Sequence, residues 1–163
     1  MATKDQQLSQ FNLSEVPSAK NMKFGIVVAQ WNAEITENLF MGAFNTLLNC
    51  GCHEENIFRK NVPGSFELSF GAQLFLNSTD VDAVICLGSV IQGETKHFDF
   101  VCQATANGIK DVSLKYNKAV IFGVLTDNTL GQAKSRSGGK LGNKGVEAAI
   151  SAIKMVELKN NMA

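Results

Sequence analysis

Several features that would assign a function at once are missing from this 163-residue sequence. No apolar run reaches the roughly 18–20 residues that a membrane-spanning helix needs. Residues 1–21 are polar and lack the apolar core of a secretory signal, so we expect a cytoplasmic protein. The 15 basic and 15 acidic residues give a formal net charge of zero. No excess charge therefore predicts binding to nucleic acid or to an anionic membrane.

The usual motifs for metal and nucleotide binding are missing too. The four cysteines, Cys50, Cys52, Cys86 and Cys102, form no C-x-x-C pair, so we expect ordinary reduced thiols and no metal site. No G-x-x-x-x-G-K-[ST] sequence occurs, which argues against a P-loop nucleotide hydrolase. A chain of zero net charge repels its own copies little, and this permits an oligomer.

What the sequence does contain is an alternation of apolar and helix-like segments. We predict an N-terminal arm over 1–22 and a single domain over 23–160. Apolar, β-branched runs predict strands at 23–31, 56–64, 81–91 and 118–126. Helical spacing predicts one helix that begins after Asn32, with Asn32 as its cap. It predicts further helices at 97–116, 130–136 and 146–158, and a Gly/Lys-rich break at 137–145.

Residues 65–76 fit two structures. Apolar residues at alternate positions from 66 to 74 suit a strand, whereas Phe66, Phe70 and Leu74 are spaced for a helix. The regular alternation of the other elements favours the helix. Strands alternating with helices predict an α/β fold whose parallel sheet is covered on both faces.

Ligands of such folds bind where the strands end. In this sequence that rule selects Trp31–Asn32, 63–67, 88–97 and 122–128. The stretch VIQGETKHFD (90–99) is the richest in chemistry. Gly93 and Thr95 at a helix start could cradle a phosphate, although the Glu94 carboxylate opposes this unless only its amide is used. A plain helix start capped by Thr95 explains the same residues.

The remaining candidates also have two interpretations each. His97 suits proton transfer near neutral pH or is an ordinary surface histidine, while His53 lies away from the strand ends and is interpreted as structural or solvated. Trp31, Phe66 and Phe122 could stack on a planar heterocycle or anchor a core or interface. Glu67 could accept ligand hydrogen bonds or begin a helix, and Arg136 and the lysines at 134, 140 and 144 could bind a phosphate or be solvated. Together they predict a phosphorylated substrate, a polar planar heterocycle and an acid/base histidine.

Three motifs, NVPGSFEL (61–68), LGSVIQGETKHFDFV (87–101) and GGKLGNKGVEAA (138–149), occur in an order and spacing that resemble the lumazine synthase family. The resemblance covers roughly residues 20–158. It implies a flavodoxin-like three-layer α/β/α sandwich with a central parallel four-stranded sheet. It also implies a transferase of riboflavin biosynthesis that works without metal or organic cofactor. The reaction would condense 5-amino-6-(D-ribitylamino)uracil with 3,4-dihydroxy-2-butanone 4-phosphate.

The resemblance implies roles for individual residues. His97 falls on the family's proton-transfer histidine. Contacts to the pyrimidine and the ribityl chain fall on Trp31, Asn32, Ser65, Phe66, Glu67, Ser89, Val90, Ile91 and Phe122. Phosphate contacts fall on Gly93, Glu94, Thr95 and Arg136, and accessory positions fall on Lys144 and Glu147. Gln92 stands where many members have Arg or Lys, which gives Arg136 more weight as the phosphate ligand.

The resemblance also implies pentamers with active sites between subunits, and riboflavin synthase as a candidate partner. The short, Gly-rich link at 138–143 is similar to those of shell-forming members and favours an icosahedral 60-mer. One alternative is a homologue that binds lumazine or flavin, or forms a shell, without catalysis. Another is a flavodoxin-type electron carrier, but the loop after the first strand lacks the Ser/Thr-rich phosphate site that such a carrier needs.

Overall fold

The computed structural model describes residues 11–162. The predicted arm over 1–22 therefore lies partly outside the described residues. Its remainder contains one 3-10 turn, Leu13–Glu15, and is tied to the rest of the chain where the Ala19 amide donates to the Cys50 carbonyl at 2.8 Å.

A four-stranded parallel sheet forms the centre of the molecule. Its strands are β1 (Phe24–Ala29), β2 (Ile57–Val62), β3 (Ala83–Ile91) and β4 (Ala119–Asp127), in the order β2-β1-β3-β4. Strands β1 and β3 are the inner pair, and all residues of β1 are buried, as expected for a strand covered on both faces. This is the strand order of flavodoxin-like folds, and it confirms the predicted parallel sheet.

Helices cover both faces of the sheet. The helices are α1 (Ala33–Asn49), α2 (Leu68–Ser78), α3 (His97–Tyr116), α4 (Leu130–Arg136) and α5 (Lys144–Met162). Side chains of α1 and α5, such as Leu39 and Ile153, share one apolar core with one face of the sheet. Side chains of α2 and α3, such as Leu68 and Ile109, form a second core on the other face. The predicted three-layer α/β/α sandwich is confirmed.

The ambiguous segment 65–76 is helical, but the stripe that indicated the helix is not the buried one. Phe66, Phe70 and Leu74 are 59%, 61% and 48% exposed. The helix instead buries Leu68, Gly71, Ala72 and Phe75 against the sheet. Gly71 and Ala72 on the inner face let α2 approach the sheet closely, while Phe66, Phe70 and Leu74 remain on the outer surface.

Three local predictions need correction. Strand β1 ends at Ala29, so Trp31 lies in the following turn and does not close the strand. Asn32 precedes α1, but its side chain makes no capping hydrogen bond. The break at 137–145 contains a small antiparallel pair, β5 (Ser137–Gly139) and β6 (Gly142–Asn143), and α5 begins at Lys144, earlier than predicted.

The strand order places a ligand site at one position on the sheet edge. The chain moves from β1 to β2 on one side and then crosses back to β3 on the other side, so the connections diverge between β1 and β3. A crevice forms at the carboxyl ends of strands where connections diverge in this way.

Candidate active site

A cavity of about 380 Å³ opens at the carboxyl ends of β1, β2 and β3. Three segments meet around it: the turn after β1, the turn after β2 and the connection from β3 to α3. Its lining residues are Trp31, Asn32, Gly64, Ser65, Phe66, Glu67, Ser89, Val90, Ile91, Gly93, Thr95, His97, Phe98 and Val101. The structure therefore brings together most of the residues that the sequence predicted as a site.

The turn after β1 is held in place from both neighbouring strands. The Trp31 amide donates to the Pro63 carbonyl at 3.1 Å, next to the end of β2. Asn32 has a left-handed backbone (φ 59°, ψ 47°), and its Nδ2 donates to the Ser89 carbonyl of β3 at 2.9 Å. Asn32 thus ties the turn to β3 instead of capping α1. The Trp31 ring, 73% exposed, is presented at the rim of the cavity, where it can stack on a flat ligand.

The turn after β2 supplies the carboxylate of Glu67 and a second exposed aromatic ring, that of Phe66. Glu67 Oε2 accepts a hydrogen bond from the Gly64 amide at 3.0 Å, and the Ser65 carbonyl accepts one from the Thr105 hydroxyl of α3 at 3.1 Å. Glu67 therefore begins its helix, as one interpretation predicted. The same carboxylate also lines the cavity, where it can accept hydrogen bonds from a ligand.

His97 is the first residue of α3 and lies exposed on the cavity wall. Its amide donates to the Thr95 hydroxyl at 3.4 Å, but Lys96 occupies the N-cap position and no side chain caps the helix, so the interpretation of Thr95 as the cap is wrong. The unpaired amides at the start of this long helix favour an anion. Gly93 and Thr95 line the cavity, whereas Glu94 is not among its lining residues. A proton-transfer group and an anion-attracting helix start are thus adjacent.

The other predicted residues do not line this cavity. Phe122 lies in the middle of β4, opposite Cys86, and not at the strand end where the sequence had placed it. Arg136 is the last residue of α4, in a separate cleft with Asp127. Lys144 and Glu147 pair with each other at the start of α5, with Nζ and Oε1 2.6 Å apart.

Sequence reasoning missed two kinds of residue. Phe98 and Val101 line the cavity, although neither was among the predicted site residues. The signal for Val101 was available, because a residue four positions after His97 lies on the same face of the helix, whereas helical spacing does not place Phe98 beside His97. Asp127 lies within the selected range 122–128 but was not singled out as a site residue. Burial raises the pKa of its carboxyl group, and the nearby Arg136 partly offsets that increase.

Within residues 11–162, no group of three or more His, Cys, Asp or Glu side chains is arranged to hold a metal ion. None of the described helices has the length and apolar character needed to cross a membrane.

Comparison with known proteins bears on the same site. The sequence profile of a family described as 6,7-dimethyl-8-ribityllumazine synthase matches residues 21–160. The chain belongs to this family. The match includes every segment that lines the cavity, together with Phe122, Arg136 and the start of α5.

Individual members of the 6,7-dimethyl-8-ribityllumazine synthase family are similar over nearly their whole length. A protein of this name from Christiangramia forsetii is 54% identical over 162 residues, which cover 99% of this chain and 96% of the relative. One from Cytophaga hutchinsonii is 57% identical over 156 residues, covering 96% and 98%. The family predicted from the sequence motifs is therefore confirmed. The roles of individual residues stay predictions.

Proposed function

We propose that this chain condenses 5-amino-6-(D-ribitylamino)uracil with 3,4-dihydroxy-2-butanone 4-phosphate to form 6,7-dimethyl-8-ribityllumazine, releasing phosphate and water. The observation that carries the proposal is the cavity of about 380 Å³ at the strand ends. It gathers an exposed aromatic ring (Trp31), a carboxylate (Glu67) and an imidazole (His97) beside a helix start. Membership of the family supports the same reaction.

The pyrimidine occupies the part of the cavity between Trp31 and the end of β3. Its ring stacks on the exposed indole, and Phe66 covers its other side. The end of β3, with Ser89, Val90 and Ile91, lines the wall that the ring and the ribityl chain face. The Glu67 carboxylate and Asn32 accept and donate the hydrogen bonds that the ribityl hydroxyls require.

The phosphate of the ketone lies at the start of α3. The amides of Gly93, Glu94 and Thr95 donate to it, so the Glu94 carboxylate does not have to face the anion. Arg136 supplies the bidentate charge that Gln92 cannot supply. Lys144 and Glu147 are accessory residues near this end of the site.

His97 moves protons during the reaction. The amine nitrogen adds to the ketone carbonyl, the resulting carbinolamine loses water to give an imine, and the phosphate leaves by elimination. A proton is lost from the hydroxyl-bearing carbon as the phosphate departs, and the resulting enol tautomerises to a second carbonyl. The ribitylamino nitrogen then closes the ring on that carbonyl and a further water is released. His97 donates a proton to the departing oxygen and accepts one in the next step. Both substrates are intrinsically reactive, so most of the acceleration comes from holding them together.

A second copy of the chain completes the site. The cavity of one chain lacks Phe122 and Arg136, which lie on β4 and α4 outside it. The outer surface of α2 and the start of α3 expose large apolar side chains, including Phe70 and Phe100 at 61% and 68%. Such a surface is typical of a protein interface. The proposed assembly is a pentamer, with the 60-mer as its larger form.

Two finer statements belong to the same proposal. The four cysteines are unpaired, which suits the reducing cytoplasm as the location. Riboflavin synthase, which would consume the product, is the proposed protein partner. A non-catalytic shell or binding protein would not need an acid/base histidine in the cavity, so the enzyme is the better-supported function.

The test is to mix both substrates with the purified chain and follow formation of the green-fluorescent lumazine. Wild type should form it, and His97→Ala should lower kcat about 100-fold or more while the KM values change little. His53→Ala is the matched control, because His53 is exposed and lies outside the cavity. Wild type that binds the pyrimidine without forming product would contradict the enzymatic proposal. His97→Ala at full rate would contradict only the role of His97.

A further inference from the structure

Asp127 is a buried carboxylate that the proposed reaction does not use. It is the last residue of β4, lies opposite Ile91 of β3 and is 7% exposed. Its carbonyl accepts a hydrogen bond from the Gln92 amide at 2.9 Å. The sheet therefore fixes its backbone beside the segment that leads into the cavity.

Its side chain faces Arg136. Asp127 Oδ1 lies 3.5 Å from Arg136 Nε, and the two side chains are 8% and 28% exposed. The second oxygen, Oδ2, is buried and has no hydrogen-bond partner among the described residues. A buried charge with an unpaired oxygen costs stability, and burial accordingly raises the pKa of Asp127. Folding stability alone does not account for a carboxylate at this position.

The turn between the two residues is fixed by a reciprocal pair of hydrogen bonds. The Thr129 hydroxyl accepts from the Gln132 amide at 3.2 Å, and Gln132 Oε1 accepts from the Asn128 amide at 2.8 Å. These bonds fix the start of α4 relative to the end of β4. Because α4 is short, its last residue returns to the strand end, and Arg136 meets Asp127 there.

We propose that Asp127 is a positioning residue for Arg136, holding the Nε edge of the guanidinium so that its two terminal nitrogens face the phosphate of the ketone substrate. A guanidinium has donors on two edges, so one edge can bind a carboxylate while the fork binds a phosphate. Asp127 itself does not touch the substrate. The inference rests on the proposed function, in which Arg136 is a phosphate ligand.

Steady-state kinetics on the assembled enzyme tests this, with each substrate varied in turn. Asp127→Ala should raise the KM for the phosphorylated ketone about tenfold, and leave kcat and the KM for the pyrimidine nearly unchanged. Asp127→Asn keeps an acceptor oxygen and should raise the KM for the phosphorylated ketone only about threefold. In the Arg136→Ala background, neither Asp127 substitution should raise the KM for the ketone any further.

Glu34→Gln is the matched control. Glu34 of α1 pairs at 2.8 Å with Lys134 of α4, the helix that carries Arg136. This change therefore removes an ion pair from α4 without touching Arg136, and all KM values should stay at the wild-type level. Asp127→Asn has nearly the same shape as the native residue, so it supplies the test if Asp127→Ala does not fold.

The kinetic results that would contradict the inference can be told apart from those that would contradict the proposed function. If the Asp127 variants raise both KM values, or still raise the ketone KM in the Arg136→Ala background, Asp127 is only structural and the inference is wrong. If Arg136→Ala raises the ketone KM but the Asp127 variants do not, the positioning inference alone is wrong. If Arg136→Ala itself leaves the ketone KM unchanged, the proposed phosphate site is wrong, and the inference falls with it.

Discussion

At the scale of single residues, the burial of Asp127 and the charge of Arg136 have opposite effects on the pKa of the Asp127 carboxyl group. Burial makes ionisation of Asp127 unfavourable, and the Arg136 charge partly compensates for it. The pKa of the folded Asp127 therefore lies above that of the unfolded chain. The folded state binds this proton more tightly, so the stabilisation from Asp127 is complete at low pH and is lost as the pH rises through the folded pKa.

Arg136→Ala should consequently destabilise the chain in a pH-dependent way. Without the guanidinium, the buried carboxylate is uncompensated, and its pKa rises further. We expect the variant to melt below wild type at neutral pH, and the difference to shrink as the pH falls and Asp127 becomes protonated. Thermal melts from neutral to acidic pH check this.

The double variant Arg136→Ala with Asp127→Asn is the control for that experiment. Asparagine cannot ionise, so the pH-dependent part of the Arg136→Ala defect should disappear. A deficit that is the same at every pH, or that persists in the double variant, would show that Arg136 stabilises the chain by packing alone and not through the charge of Asp127.

Some site residues could be predicted from the sequence because their position after a strand is enough to identify them. Trp31, Glu67 and His97 lie a few residues after the ends of β1, β2 and β3, so the strand-end rule located them without any knowledge of side-chain direction. Asp127 was included in the range that the rule selected, but nothing in its sequence neighbourhood indicated burial. Its burial depends on α4 turning back over the end of β4, a tertiary feature that local spacing does not encode.

At the scale of elements, α2 shows which part of a helix the sequence predicts. The alternation of strands and helices correctly assigned the helix, but not its buried face. Phe66, Phe70 and Leu74 are the larger apolar stripe and lie outside, while Gly71 packs against the sheet. A Cβ on Gly71 would lie 2.7 Å from a Val27 methyl group, so the inner face combines apolar side chains, Leu68 and Phe75, with a close approach that only a small residue permits.

The packing of α1 on α5 depends on a similar contact. Gly145 in the first turn of α5 is buried, and a Cβ there would overlap the Leu39 carbonyl oxygen of α1. Main-chain atoms inside a helix cannot move aside cheaply, so Gly145→Ala must push the two helices apart. We expect a loss of about 1–3 kcal/mol or more in the free energy of unfolding. Thermal melting measures it.

Gly131→Ala is the matched control for this prediction. Gly131 is an exposed residue of α4, and the nearest heavy atom to its added Cβ would be 3.8 Å away. Alanine favours a helix over glycine by about 1 kcal/mol, so this variant should be as stable as wild type or more stable. If Gly145→Ala had the same melting temperature as Gly131→Ala, α1 and α5 would not be in the tight contact described above.

At the scale of the whole molecule, the candidate site is divided between two surfaces of one chain. The cavity contains Trp31, Glu67 and His97, whereas Arg136 and Phe122 lie outside it. The residue types were recognisable from the sequence, but their separation was not, because it depends on where β4 and α4 lie relative to the cavity. A neighbouring copy that joins the two surfaces would restore the full set of residues.

Mixing two defective variants tests that arrangement. If His97 and Arg136 of one site come from different subunits, a junction between an Arg136→Ala subunit and a His97→Ala subunit can be fully native. Random co-assembly of equal amounts should leave about a quarter of all junctions intact. Co-refolded mixtures should therefore recover about a quarter of wild-type activity at low concentrations of the phosphorylated ketone, where each variant alone is nearly inactive. Light scattering on the same samples distinguishes a pentamer from a 60-mer. Mixed assemblies no more active than the separate variants would mean that each site is built within a single chain.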